Sequence, residues 1–413
     1  MDPGGWSTKP TESGPTLTSL PAGEVAISVT QVEYSNTPDG PLIHIFGREP
    51  GRAARHLQVT GFRPYFYAPV DQVKERPPAS NAVPDWESVH TSIKGDRVVR
   101  IYTQRPTDVR EAREQYQHFE ADIPFATRFM IDCGLTGGVI APGVNADYRE
   151  IRPAVIYAPA RVCMLDIECE DQRGFPEPTR DAIICITCWD SYIDRYVTFF
   201  SPFPGQEEGA TQLESATPKA SGCFDPSRHE VKVYSTETEM LKGFVSYIRE
   251  TDPDILSGWN FLEFDLPYIK RRMEALSLSP AMLARLEGDV ERLAIRGRAT
   301  FDLLPAYRKM HATQKESYRL DAVAEAELGE TKIRYTGTIS DLWKRDPCLL
   351  VEYNHKDVEL CVAINEKNRI IEFYQEIARY VGCPLEKTLN SSNVIDIFVL
   401  RKAHGRYVLP SKG

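Results

Sequence analysis

The sequence predicts an α/β sheet domain with a smaller, β-rich α+β domain ahead of it, and three patterns carry that expectation. Apolar, β-branched stretches near 161–165, 183–189, 196–200 and 230–234 read as consecutive strands. A helix, a strand at 254–259 and a second helix follow, which is the ordering of an α/β sheet. Before residue 150, β-branched and aromatic residues instead alternate between turn signals, with little helical spacing.

Taken in order, residues 1–22 are rich in Pro, Gly, Ser and Thr, and are expected to form a disordered tail. From Glu24 to Phe46 the alternation turns at Pro38-Asp39-Gly40, the signature of a hairpin. Phe62–Tyr67 and Val98–Tyr102 read as further strands, and Thr107–Phe119 as a helix. In the second domain Met240, Leu241, Phe244, Val245 and Ile248 share one helical face, and 266–276 reads as another helix. The stretch from Leu349 to about Val381 is expected to be helical, with Val358, Cys361, Val362, Ile370, Ile371 and Tyr374 on its apolar positions.

Bulk properties narrow the class. The 413 residues exceed one ordinary domain, and no apolar run approaches a membrane span. A soluble protein is expected, cytoplasmic and nucleoid-associated in a prokaryote. A net charge of −10 lends no support to broad duplex binding, although an enzyme gathering carboxylates around metal need not be basic. Nine cysteines, an odd count, argue against a secreted disulfide framework. Cys185 and Cys188 have CxxC spacing, but on a strand i and i+3 face opposite ways and no second pair completes a zinc site, so buried thiols are expected.

Three segments carry candidate chemistry. Asp166-Ile167-Glu168 follows the apolar run Val162–Leu165, so both carboxylates project from one face of a strand and can share a hard cation. The same Asp-x-Glu pattern recurs at Asp85, Asp289 and Asp357, but only the Asp166 copy ends a buried-looking strand. Asn260-Phe-Leu-Glu-Phe-Asp265 lies between a strand and a helix, where Asp265 suits either an N-cap or a ligand. Tyr353 and Asp357 stand four residues apart, on one face of a helix that is either a site wall or a solvated surface. His355 falls on a different face.

Taken together, and in this order, the three segments resemble the exonuclease motifs of family B DNA polymerases. Gly174-Phe-Pro-Glu-Pro178, Asp252-Pro-Asp-Ile255, Gly297–Asp302 and Ser317–Val323 resemble the family's linking sequence. Phe62-Arg-Pro-Tyr65 and Asp122–Leu135 resemble its N-terminal domain, so the likeness spans residues 24–413. The resemblance implies a ribonuclease H-like nuclease over residues 156–368, behind an N-terminal domain over 23–155, with 369–413 returning to that domain. Ser391-Ser392 and Val399–Ala403 resemble the stretch before the polymerase palm. Neither Asp-Thr-Asp nor Ser-Leu-Tyr-Pro-Ser, the palm signatures, occurs, so palm, fingers and thumb are expected to lie outside this chain.

By the same resemblance Asp166, Glu168, Asp265 and Asp357 hold two ions, Mg2+ or Mn2+, about 4 Å apart. They remove nucleotides from a DNA 3′ end, with Tyr353 orienting the water. Asn260 and Phe264 are implied to hold the strand, although Phe264 also suits a core. Tyr307, Arg308, Lys309 and the Lys315–Arg319 run around Tyr318 have the basic–aromatic composition of a single-strand contact, or of a solvated helix face. Archaeal members of the family hold template uracil in the N-terminal domain, and Tyr34, Pro64, Tyr65 and Val98 are placed by resemblance on that pocket. Implied partners are single-stranded and primer-template DNA, the missing polymerase domains and a sliding clamp. A non-catalytic assembly module and a free-standing repair nuclease are the competing readings.

Overall fold

The computed structural model describes residues 21–412 apart from 22, 80, 206–226, 289–292 and 312. Except for Pro21, the tail expected over 1–22 lies outside the described residues, as does the Asp289 copy of Asp-x-Glu. No helix among the described residues is long and apolar enough to cross a membrane.

The first 155 residues build two sheets. Strands β1 (Val25–Thr37), β2 (Gly40–Arg48) and β3 (Ala54–Thr60) form an antiparallel meander. Thr37 pairs with Gly40 across a two-residue turn at Pro38-Asp39, and Gly40 takes φ +122°, a conformation that only glycine adopts cheaply. Strands β4 (Tyr65–Pro69), β5 (Ala82–Thr91) and β6 (Arg97–Thr103) make a separate three-stranded sheet ordered β4-β6-β5. Strands β7 (Gly138–Ala141), β8 (Asn145–Asp147) and β9 (Arg152–Pro153) complete the first sheet, ordered β8-β3-β2-β1-β7-β9.

The helix expected over 107–119 runs only from Asp108 to Arg113. Beyond it, Phe119 pairs with Tyr67 through hydrogen bonds of 3.0 and 2.8 Å, and Tyr116 Oη donates to the Arg76 carbonyl. These long-range backbone partners outcompete the next helical turn.

The second unit is a six-stranded mixed sheet: β10 (Val162–Cys169), β11 (Ile183–Asp190), β12 (Arg195–Phe200), β13 (His229–Val233), β14 (Ile255–Gly258) and β15 (Ala299–Asp302). Its order is β13-β12-β11-β10-β14-β15. β11 runs antiparallel to both β10 and β12, whereas the β12–β13, β10–β14 and β14–β15 pairs are parallel.

Alternation along β10 divides two cores. Cys163, Leu165 and Ile167 pack beneath the Glu237–Thr251 and Asp265–Ala275 helices. Met164 faces the other way, toward a core that includes Tyr307 of the Leu303–Met310 helix and Val358 of the long Pro347–Asn368 helix. Asp166 and Glu168 continue that second face, so the long helix is set against them by apolar packing. Cys185 and Cys188 are fully buried in separate apolar clusters, and all eight cysteines among the described residues are free.

The helical stretch expected from Leu349 to Val381 is two helices, Pro347–Asn368 and Ile370–Val381. Arg369 breaks it at φ +51°, and the Asn365 side chain accepts from Ile371 N at 3.0 Å. The last residues return to the first unit. Val408 bridges Ser92, Pro410 bridges Phe119, and Leu409 N donates to Glu120 at 2.9 Å. Between the units Arg48 Nε meets Asp254 at 2.7 Å, and both side chains are almost completely buried.

Candidate active site

Three elements converge at the site. β10 delivers Asp166 and Glu168, the Pro347–Asn368 helix delivers Tyr353, Asn354 and Asp357, and the start of the Asp265–Ala275 helix delivers Asp265. Carboxylate oxygens of Asp166, Glu168 and Asp357 lie within 4.8 Å of one another. Asp357 is 189 or more residues away in sequence from the other two, so sheet–helix packing alone brings the cluster together.

Asp265 is placed differently. It neither caps its helix nor joins the three: Phe264 occupies the cap position, and Asp265 Oδ1 accepts a hydrogen bond from Ile167 N at 3.2 Å. The buried Asp265 thus ties the second motif to the strand between Asp166 and Glu168. Its charge is still close enough to Asp166 for the two to repel.

The electrostatics are those of crowded acids. Burial, then the neighbouring Asp357, raises Asp166 above the usual carboxylate range. Burial, then Asp166 and Asp357, raises Glu168 further. Burial also lifts Asp357, against the pull of Lys332. The Lys332 ammonium sits on Asp357 Oδ2 and also reaches Tyr353 Oη at 3.3 Å. Asn354 Nδ2 donates to Asp166 Oδ2 at 2.8 Å. Burial pushes the Tyr353 phenol up, so it keeps its proton.

The donor set suits a hard divalent cation. All three groups offer oxygen, the ligand type that Mg2+ and Mn2+ prefer. Asp357 Oδ1 is buried with no hydrogen-bond partner among the described residues, so it has a lone pair free for a ligand.

The rim is organised by Asp302 at the end of β15. Its carboxylate accepts from Asn260 N at 3.1 Å, from Leu262 N at 2.9 Å, and from Leu304 N, which caps the next helix. Asn260 is exposed at φ +65°. Phe264 is half-buried, packed edge-on against Phe175 at 5.9 Å and close to Tyr268. Phe175 itself is 82% exposed.

Lys332, Asn354, Asp302 and Phe175 were not singled out by sequence reasoning. Asn354 had a signal, since it lies three residues before Asp357 on the same helical face. Lys332 had none. In the basic–aromatic run at 307–319, Arg308, Lys309 and Arg319 are exposed, whereas other members are used inside the fold. Tyr307 is fully buried and donates to Glu327, Lys315 pairs with Glu327 at 2.8 Å, and Arg308 stacks over Tyr318. Tyr307 and Lys315 are thus satisfied by Glu327, on the Leu320–Leu328 helix that follows.

In the first unit Tyr34, Pro64 and Tyr65 line a cavity of about 540 Å3 together with Val109, Pro124, Phe125 and Arg128. Val98 does not line it. Near the start of β6 and with 0% exposure, its side chain is committed to the core. Val109, on the Asp108–Arg113 helix, supplies the aliphatic wall instead.

The comparisons agree with this geometry. The DNA polymerase family B exonuclease domain matches residues 116–323, half of the chain. That span contains the first two motifs but not Tyr353 or Asp357, which the fold itself brings to the cluster. DNA polymerase 1 of Pyrococcus abyssi is 31% identical over 417 residues, covering 93% of this chain and 48% of the relative. The DNA-directed DNA polymerase of Escherichia phage RB69 is 28% identical over 261 residues, 58% of this chain. The family B DNA polymerase of the archaeon Pyrobaculum calidifontis has the same fold, with a TM-score of 0.74 at 21% identity, over 94% of this chain and 52% of that one. The chain spans about half the length of the archaeal relative it matches. With the matched domain, the motif order and the convergent carboxylates together, the chain belongs to the family B DNA polymerases and carries their exonuclease domain.

Proposed function

We propose that this chain removes nucleotides from DNA 3′ ends, as the proofreading part of a DNA-directed DNA polymerase whose polymerising domains lie elsewhere. The observation that carries the reading is the Asp166–Glu168–Asp357 cluster, within 4.8 Å and walled by Tyr353. Asp166, Glu168 and Asp357 are the residues to hold divalent metal, with Asp265 supporting them through the Ile167 backbone. Bound metal in such a site activates water and stabilises charge on the phosphoryl oxygens.

The chain's own groups do the rest. Tyr353, which keeps its proton, orients a water by hydrogen bonding and does not act as a base. Lys332 holds the Asp357 carboxylate and the Tyr353 hydroxyl in fixed relation. Asn260, Phe264 and the exposed Phe175 stand at the rim, where aromatic faces stack on the bases of a frayed strand.

The test is a time course on 3′-end-labelled single-stranded DNA with Mg2+ or Mn2+. Shortening with release of nucleoside monophosphates is expected, and chelator should stop it. Asp166→Ala or Asp357→Ala should remove nearly all activity, and Tyr353→Phe should cost roughly 10²-fold or less. An Asp166→Ala chain that digests like its parent overturns the reading, and the assembly-module alternative then stands.

The cavity lined by Tyr34, Pro64 and Tyr65 favours a second role, recognition of uracil in single-stranded template. Selectivity over thymine then comes from a wall too close for the thymine methyl, with Val109 as the aliphatic contact. A uracil-containing strand should bind more tightly than its thymine twin, and Val109→Gln should erase the difference. Equal affinities for the two strands remove this role and leave the nuclease untouched.

A further inference from the structure

The Pro347–Asn368 helix buries one amide beside the carboxylate cluster. Asn354 has 0% exposure, and its Nδ2 donates to Asp166 Oδ2 at 2.8 Å. Its Oδ1 is buried with no partner among the described residues. An amide kept in the core with an unpaired carbonyl weakens the fold, so stability does not account for it. Its one hydrogen bond goes to a residue of the metal cluster. Asp357 lies three residues further along the same helical face, so one helix both supplies a ligand and orients another.

We propose that Asn354 is a positioning residue that sets the Asp166 carboxylate for metal binding. This rests on the nuclease reading of the same cluster. The bond fixes the plane of the Asp166 carboxylate at Oδ2, beside the oxygens of Glu168 and Asp357 that lie within 4.8 Å of it. Without the amide, the Asp166 side chain regains rotamer freedom, and the repulsion from Asp357 drives it outward. Partners that hold a ligand in this way typically change metal affinity by about 10–100-fold when removed.

The test measures Mn2+ binding by electron paramagnetic resonance on the full chain without DNA. Asn354→Leu, close in volume, and Asn354→Ser, smaller and polar, guard against a variant that fails to fold, which thermal melting in chelator detects. Both should weaken Mn2+ binding by roughly tenfold or more. In an Asp166→Ala background they should cause no further loss, because the carboxylate they position is gone. Raising Mn2+ should restore the turnover of Asn354→Ser on single-stranded DNA without changing KM. A folded Asn354→Ser chain that binds Mn2+ like its parent, or one that weakens binding equally with and without Asp166, overturns the proposal. If Asp166→Ala alone leaves Mn2+ affinity unchanged, the nuclease reading beneath it fails as well.

Discussion

Lys332 rests its ammonium on the carboxylate of Asp357, a residue 25 positions later on the helix that walls the site. Burial pulls the Lys332 ammonium down, but Asp357, Tyr353 and Asp166 outweigh it and leave it raised, so it is charged at neutral pH. It is the cation placed directly on the crowded acids, and it supplies compensation before metal arrives.

Lys332→Met removes that compensation and leaves Asp357 buried without a counter-charge. In chelator the variant should be less stable by roughly 1–3 kcal/mol, discounted because Lys332 is partly exposed. Millimolar Mg2+ should recover part of the loss, since a divalent ion takes over the neutralisation. Urea melts with and without Mg2+ check this. A variant as stable as the parent in chelator shows that the ammonium compensates nothing.

Divalent metal should raise the melting temperature of the parent. It binds the folded cluster and not the unfolded chain, which by mass action gives about 2.7 kcal/mol at a hundred times the dissociation constant. Asp166→Ala and Asp357→Ala should lose this response. A parent melting temperature independent of Mg2+ or Mn2+ argues against a metal-binding cluster.

Arg48 of β2 and Asp254, just before β14, join the two units through a buried ion pair. Asp254 also takes Arg285 at 3.0 Å and the Arg161 N–H at 2.8 Å, so it cannot relax toward solvent. Arg48→Met should therefore cost about 1–3 kcal/mol, because Asp254 loses one of its two buried cations while Arg285 stays in place. Denaturant melts should show a lower midpoint and a loss of cooperativity between the units. An unchanged midpoint would mean that Asp254 is satisfied without Arg48.

Stability should fall as pH rises from about 5 to 8 because of Glu386. Its carboxyl is raised to about 7 by burial. Gln31 Nε2 donates to Glu386 Oε1 at 2.9 Å, while Gln31 Oε1 and Glu386 Oε2 are both buried and unpartnered. A protonated Glu386 completes that second bond. The folded state holds the proton more tightly than the unfolded one, so the contribution is present below the ordinary carboxyl value. It is lost as pH climbs to about 7, on the order of a few kcal/mol. Glu386→Gln offers the same two bonds without a proton, so it should flatten the decline. A parent with level stability across this window refutes the assignment.

Some of this was legible because it is local. A strand's period of two puts Asp166 and Glu168 on one face, and a helix's period of 3.6 puts Tyr353 and Asp357 on one face. The same rules predicted seven of the strands, the hairpin over Glu24–Phe46 and the apolar face of the Glu237–Thr251 helix. They overran at 107–119, where Phe119 found a strand partner 52 residues earlier.

Local rules say how side chains on one element stand to each other, and nothing about which face of another element they meet. By itself the sequence determined the acid pairs, their order and the family they mark. Only tertiary packing decided that β10 meets the Pro347–Asn368 helix, that Lys332 and Asn354 hold two of its carboxylates, and that Asp265 turns to the Ile167 backbone. Packing likewise put Val98 in the core and Val109 at the cavity. The reason is physical: these partners lie far apart along the chain, and burying the apolar faces of β10 and the helix, not any local periodicity, is what brings them within hydrogen-bonding distance.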